Sequence, residues 1–139
     1  MSDRVETMVV FFRRSLLVLS VGLYLAAFGA PYDESTRGAS VFVSGLFWCW
    51  MIPATFPWWA NVLYWIALRY YIRAELFAAA IVGLLAAALG STWAFLDSHA
   101  SEVLAFRLWI GAMVVLSVGS LGLSSWLGRN TTGTSEFTN

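Results

Sequence analysis

Four apolar segments, each about long enough to cross a lipid bilayer, occupy most of this 139-residue chain. They cover about residues 8–30, 41–68, 76–96 and 103–128. A helix needs about 20 apolar residues to cross roughly 30 Å of hydrocarbon. Hydrophobic residues make up 60% of the chain and charged residues only 12%, so much of the surface has to face lipid. The sequence therefore predicts an all-α integral membrane protein, a bundle of four transmembrane helices in a single domain over residues 1–128.

The distribution of arginine predicts the orientation of these helices. Basic residues concentrate on the cytoplasmic side of membrane proteins. With the N-terminus inside, Arg37 alone falls in an outer loop, and six arginines fall on the cytoplasmic side: Arg4, Arg13, Arg14, Arg69, Arg73 and Arg129. We therefore expect both termini in the cytoplasm, a plasma or inner membrane location, and a polar cytoplasmic tail over residues 129–139. All eight basic residues are arginine, which we interpret as codon bias in a GC-rich bacterial genome.

Residues 1–30 also match the pattern of a secretory signal, with a basic start, an apolar core and small residues near Ala30. Bulky Phe28 at the −3 position and Pro31 after the cut disfavour cleavage there. We expect an uncleaved helix in which Arg13 and Arg14 reach back to the headgroups. The sequence alone leaves cleavage open.

The second apolar segment is too long for one straight perpendicular span. Its 28 residues would extend about 42 Å as a helix. Pro53 and Pro57 lie inside it, and each removes a backbone hydrogen bond and clashes with the preceding turn. A helix kinked or broken at these prolines is the prediction. Asn61 projects from a similar side. One interpretation is a purely structural kink in which Asn61 hydrogen bonds across helices. The other is a binding site, because broken helices form substrate sites in transporters, and it makes Pro53, Pro57 and Asn61 candidate ligand-binding residues.

Two tryptophans and one arginine complete the candidate binding residues. Trp58 and Trp59 lie near the middle of the second segment, where they face lipid, fill the kink beside the prolines or contact a flat hydrophobic ligand such as a pigment, quinone or acyl chain. Arg107 is the one charged residue well inside the fourth segment, and we expect it to point into the bundle. It serves there as a salt-bridge partner or as part of a site. No cofactor is required, although a single pigment or a bound lipid stays open.

Small residues recur along the third and fourth segments and predict close helix packing. Membrane helices approach each other where small side chains leave room. In the third segment these residues recur at intervals of four, and in the fourth they lie within about 80° of each other around the helix. They are Ala79, Gly83, Ala87 and Ser91, then Gly111, Gly119 and Gly122. We expect these stripes to bring the two helices together or to bind a neighbouring protein.

Several absences narrow the function. No GxSxG, HExxH or P-loop pattern occurs, so we expect no enzyme activity. Cys49 is the single cysteine and His99 the single histidine, which gives no set of metal ligands. The net charge is zero, which argues against nucleic-acid binding. No apolar segment carries Asp or Glu in its middle, which argues against a proton-coupled exporter.

Three functions agree with these observations. The leading hypothesis is a non-catalytic accessory or structural subunit of a larger membrane complex, with protein partners or further copies of the same chain in addition to membrane lipids. The alternative is a small oligomeric transporter or channel with its site at Pro53, Pro57 and Asn61. A weaker third hypothesis is a protein that binds a pigment or a lipid beside Trp58 and Trp59.

Overall fold

The computed structural model describes residues 3–32, 34, 36–48, 57–97 and 99–132, and α-helices make up most of them. A short 3-10 turn at Ala100–Glu102 joins the last two helices. No strand occurs in these ranges, where Pro31 and Arg37 form only an isolated β-bridge. The all-helical prediction is therefore confirmed. The helices are α1 (Asp3–Gly29), α2 (Gly38–Trp48), α3 (Trp59–Ile72), α4 (Leu76–Ser91), α5 (Trp93–Leu96) and α6 (Leu104–Thr132).

Within the described ranges, three helical stretches are long and apolar enough to cross a membrane: Val5–Gly29, Leu76–Leu96 and Leu104–Arg129. They correspond to the first, third and fourth apolar segments. The second segment forms two shorter helices, α2 and α3, with residues 49–56 between them outside the described ranges. Membrane-spanning helices are thus supported, whereas four spans and an inward-facing N-terminus stay predictions.

The proline-rich part of the second segment lies between α2 and α3. Pro53 is outside the described residues, whereas Pro57 is buried and immediately precedes α3. Proline is tolerated there because the first turn of a helix does not use its N–H groups. Gly38 at the start of α2 approaches the backbone of Ala27, and Gly45 approaches the Trp58 ring. α2 therefore lies at the end of the molecule where α1 ends and α3 begins.

Helices α1, α3, α4 and α6 share one core of buried residues. α1 packs on α6, α6 on α4, and α4 on α3, each pair antiparallel. Glycine allows the α4–α6 approach, because a Cβ at Gly83 would collide with the Ser117 hydroxyl. On the other side of α6, a Cβ at Gly119 would collide with the Leu16 side chain of α1.

Large side chains, most of them tyrosines, connect α1 and α3. With the three helix pairs above, this fourth contact closes a ring of the four core helices. The rings of Tyr24 and Tyr64 stack with centroids 4.6 Å apart. Nearer the start of α1, Arg13 Nη2 donates to the Tyr71 carbonyl at 3.1 Å, and the Tyr71 hydroxyl donates to the Arg13 carbonyl at 2.9 Å. These pairs show that α3 runs antiparallel to α1.

The arginines predicted to be cytoplasmic lie at one end of this core. Arg13 contacts the last turn of α3, which also carries Arg69 and is followed by Arg73. Arg129 lies in the last turn of α6, which packs antiparallel to α1. The opposite end contains the connections between α1 and α2 and between α4 and α6, including Asp97. The helical core thus has one basic end and one end formed by longer connections.

Candidate functional site

A cavity of about 520 Å³ lies at the end of the molecule opposite Arg13, Arg69, Arg73 and Arg129. It is enclosed by the end of α1, by α2, by the start of α3, by α5 and by the start of α6. Most of its lining surface is apolar, and the residues with polar side chains are Tyr32, Thr36, Ser40, Ser44, Asn61 and Asp97. Its aromatic lining residues are Phe28, Tyr32, Phe42, Trp58, Trp93, Phe106 and Trp109.

Asn61 forms the polar floor of the cavity and is 4% exposed. Its Oδ1 accepts hydrogen bonds from the Tyr24 hydroxyl and from Trp109 Nε1, both at 2.8 Å. Its Nδ2 donates to the Trp58 carbonyl at 3.0 Å. An amide oxygen has two lone pairs, so both acceptor positions of Asn61 are filled by side chains of α1 and α6. Asn61 therefore ties three helices together at the base of the cavity.

Aromatic rings packed at tilted angles form the wall between α1, α2 and α3. Phe28 and Phe42 have centroids 4.9 Å apart, and Phe42 and Trp58 have centroids 5.7 Å apart. Trp58 Nε1 donates to the Phe42 carbonyl at 3.1 Å, which satisfies its only polar group and fixes the ring. These rings therefore present apolar surface to the cavity.

Asp97 supplies the polar end of the cavity. Its Oδ2 accepts from the Tyr32 hydroxyl at 2.6 Å, and its Oδ1 accepts from the backbone N–H of His99 at 3.0 Å. Trp93 Nε1 donates in turn to the Tyr32 hydroxyl at 2.9 Å. The Tyr32 hydrogen bond, followed by that from His99, holds the pKa of the Asp97 carboxyl below its ordinary value. The carboxylate is therefore ionised at neutral pH.

Three of the candidate binding residues meet in this cavity, namely Pro57, Trp58 and Asn61. Trp59 does not belong to its described lining; its half-buried ring makes an edge contact with Trp58. Arg107 is exposed and also lies outside that lining, although we expect it inside the bundle from the sequence. The reason is that the side of α6 bearing Arg107 is the outward side of the core.

The two small-residue stripes are placed differently. In α4, Ala79, Gly83 and Ala87 are buried, and the Ser91 hydroxyl donates to the Ala87 carbonyl at 2.7 Å. In α6 the predicted glycines are not the fully buried residues. The fully buried residues are Ala112, Met113, Leu116, Ser117 and Ser120. Gly119 contacts Leu16, whereas a Cβ at Gly111 or Gly122 would have nothing within 4 Å. Gly111 and Gly122 thus lie outside the close helix contacts of the described residues.

Sequence reasoning missed Tyr24, Tyr32, Trp93, Asp97 and Trp109 as parts of this site. The sequence does indicate that Tyr24 faces the core. Ser20 lies one turn before it, so two polar side chains share one face of an otherwise apolar helix. In the structure Ser20 donates to the Ala112 carbonyl at 2.8 Å, and its hydroxyl lies 2.9 Å from the Tyr64 hydroxyl.

No protein-family model matches this chain, and neither a curated protein nor a solved structure matches it.

Proposed function

We propose that this protein is a non-catalytic multi-pass membrane protein that binds an amphipathic, lipid-like molecule in the aromatic cavity. The observation that carries this proposal is the cavity itself, about 520 Å³ in volume and lined by aromatic residues with a few converging polar groups. Small-molecule sites in proteins are concave, mostly apolar spaces of about 300–1,000 Å³ with a few placed polar groups. Both the size and the lining fall within this description.

The gradient of polarity along the cavity supports an amphipathic occupant. Phe28, Phe42 and Trp58 offer ring faces on one side, and Asp97 with Tyr32 offers a charged, hydrogen-bonding end on the other. A molecule with an apolar body and a polar head satisfies both ends at once. A wholly apolar molecule would gain nothing from the charge of Asp97, and a wholly polar molecule would lose its hydration against the aromatic rings.

The membrane placement that we propose follows from the arginines. The basic end of the core would face the cytoplasm with both termini, in the plasma membrane. The cavity would then lie at the outer headgroup boundary, where an amphipathic molecule inserts its apolar part beside the helices. Membrane lipids are thus the nearest source of ligand.

Transport through Asn61 receives less support. Its Oδ1 is occupied by Tyr24 and Trp109, so a substrate would have to displace a protein hydrogen bond in order to bind there. Arg107, the charged residue that we expect inside the bundle from the sequence, is exposed on the outward side of α6.

Filling the cavity tests the proposal. Ala105 lines it and is buried, so Ala105→Leu should occupy part of its volume. Ala88→Leu is the matched control, because Ala88 is exposed on α4 and outside the cavity lining. After extraction in a mild detergent, wild type and Ala88→Leu should retain a defined amphipathic molecule, measured by mass spectrometry of the organic extract. Ala105→Leu should retain less. Equal retention by all three proteins would contradict binding in this cavity.

A second candidate, an accessory subunit of a membrane complex, is favoured by the outward side of α6. Val114, Val118 and Leu121 are exposed there. A Cβ at Gly111 or Gly122 on the same side would have no atom within 4 Å. Another helix could approach closely along such a surface. Gly111→Leu with Gly122→Leu should abolish co-purification of a stoichiometric partner or of a second copy, while the monomer stays folded. Unchanged association in this double variant would remove α6 from the interface.

A further inference from the structure

The charge of the ligand can be read from the polar end of the cavity. Among its described lining residues, Asp97 is the only charged one. Two of the roughly four lone-pair positions of a carboxylate are used by Tyr32 and by the backbone of His99. The backbone N–H of Ala100 also lies beside this carboxylate. The carboxylate keeps its negative charge, which attracts a cation and disfavours an anionic headgroup.

Aromatic residues accompany this carboxylate. Tyr32 and Trp93 are joined by a hydrogen bond at 2.9 Å and both line the cavity, as does Phe106 from the first turn of α6. Aromatic faces attract cations, and ammonium groups are recognised by such residues beside a carboxylate. Because the Trp93 N–H and the Tyr32 O–H point to protein partners, the attraction that these residues offer to a ligand comes from their rings.

We propose that the cavity selects a cationic amphiphile, an alkylammonium head at Asp97, Tyr32 and Trp93 with its apolar chain against Phe28, Phe42 and Trp58. This inference rests on the proposed function and specifies the chemistry of its ligand. The head is either that of a membrane lipid with an amine headgroup or that of a free alkylammonium compound.

Three probes of equal chain length test the proposal: octyltrimethylammonium, octyl glucoside and octanoate. Binding is measured by equilibrium dialysis against proteoliposomes of digalactosyldiacylglycerol, which is uncharged and carries no amine, so the bilayer itself does not concentrate the cationic probe. Binding to empty liposomes is subtracted to remove partition into the lipid. We expect octyltrimethylammonium to bind at least about fivefold more tightly than octyl glucoside, since a cation gains from both the carboxylate and the rings. Octanoate should bind weakest. This comparison uses the wild-type chain and needs no variant.

Variants of Asp97 locate the effect. Asp97→Asn keeps the shape and removes the charge, and it should lower octyltrimethylammonium affinity by about fivefold without changing octyl glucoside binding. Asp97→Glu should keep the preference. Glu102→Gln is the matched control, because Glu102 is an exposed carboxylate of the same connection outside the cavity lining; it should behave as wild type.

The outcomes separate the two proposals. Equal binding of all three probes, abolished by Ala105→Leu, would overturn cation selection and leave the cavity as a ligand site. Binding no greater than to empty liposomes for every probe would overturn both. Adding phosphatidylethanolamine to the proteoliposomes distinguishes the sources: competition with octyltrimethylammonium would identify an amine lipid as the occupant, and undiminished binding would identify a free cation.

Discussion

Tyr24 of α1 and Tyr64 of α3 stack nearly parallel, with their ring planes 13° apart, and each hydroxyl continues into a different polar contact. Tyr24 donates to Asn61 at 2.8 Å, and Tyr64 lies 2.9 Å from the Ser20 hydroxyl. Ser20 uses its own hydrogen on the Ala112 carbonyl, so Tyr64 is the donor in its pair with Ser20. The stack and its hydrogen bonds join α1, α3 and α6.

Removing the Tyr64 hydroxyl should weaken this junction moderately. Tyr64→Phe keeps the stack and loses one buried hydrogen bond, so the free energy of unfolding should fall by about 1 kcal/mol. Tyr64→Ala also loses the ring and opens a cavity, and should cost about 3–5 kcal/mol. Titration of folded protein with sodium dodecyl sulfate in mixed micelles measures both. Tyr70→Phe is the control, because the half-buried Tyr70 hydroxyl has no hydrogen-bond partner in the described part of the chain. An equal loss of stability in Tyr70→Phe would contradict the assignment of the Tyr64→Phe effect to the buried hydrogen bond.

Asn61→Ala should destabilise the protein more than loss of either of its donors. It leaves the Tyr24 hydroxyl and Trp109 Nε1 buried without an acceptor, which should cost about 2–4 kcal/mol in total. Tyr24→Phe alone should cost about 1 kcal/mol. Because a phenylalanine ring at position 24 needs no acceptor, the double variant should cost less than the two single changes added together. Strict additivity in the same unfolding assay would show that the two side chains do not interact.

Adding a methyl group should distinguish the buried glycine of α4 from the outward glycines of α6. Gly83→Ala forces a Cβ against the Ser117 hydroxyl and should cost about 1–3 kcal/mol of stability. Gly111→Ala and Gly122→Ala meet open space and should be neutral or stabilising, by up to about 1 kcal/mol from helix propensity. Ser117→Ala should restore much of the loss in Gly83→Ala. If the outward glycines prove as sensitive as Gly83, another chain covers them.

The same glycines show what periodicity predicts and what it leaves undecided. Spacing correctly indicates that Arg107, Gly111 and Gly122 share one side of α6, but it cannot say whether that side faces the core or the lipid. In a soluble helix polarity would decide, whereas in a membrane both sides are apolar. The sequence predicts Arg107 inside the bundle, and the structure has it exposed.

Length and hydropathy alone are sufficient to predict α1, α4 and α6, because spanning hydrocarbon requires little more than an apolar run. The prolines predict an interruption in the second segment, yet not that α2 lies at the end of the core. Pro57, Trp58 and Asn61 could be selected as site candidates because they are unusual residues close together in sequence. Trp109 could not be selected in this way, because its hydrogen bond to Asn61 joins residues that are 48 positions apart in the sequence.

Acid should weaken the contact between Asp97 and Tyr32. The pKa of the Asp97 carboxyl is lowered chiefly by the Tyr32 hydrogen bond, so the ionised form is the one that the folded protein stabilises. That stabilisation is present above the ordinary pKa of aspartate and is lost as the pH falls through the lowered value. The difference in melting temperature between wild type and Asp97→Asn should therefore be constant near neutral pH and shrink only in strong acid. A difference in melting temperature that shrinks around neutral pH would contradict this role of the Asp97 carboxylate.

The turn between α3 and α4 offers a stabilising substitution. The Ala74 N–H donates to the Tyr71 carbonyl and the Glu75 N–H to the Tyr70 carbonyl, both at 3.0 Å, which is the Schellman pattern that usually places glycine in the left-handed position. Ala74 occupies that position with φ of 65°. Ala74→Gly removes the Cβ strain at some cost in unfolded-state entropy and should raise the free energy of unfolding by about 0.5–1 kcal/mol. Ala88→Gly, at an exposed position inside α4, should instead lower it by about 1 kcal/mol. The same sign of change at both positions would mean that Ala74 is not strained in the folded protein.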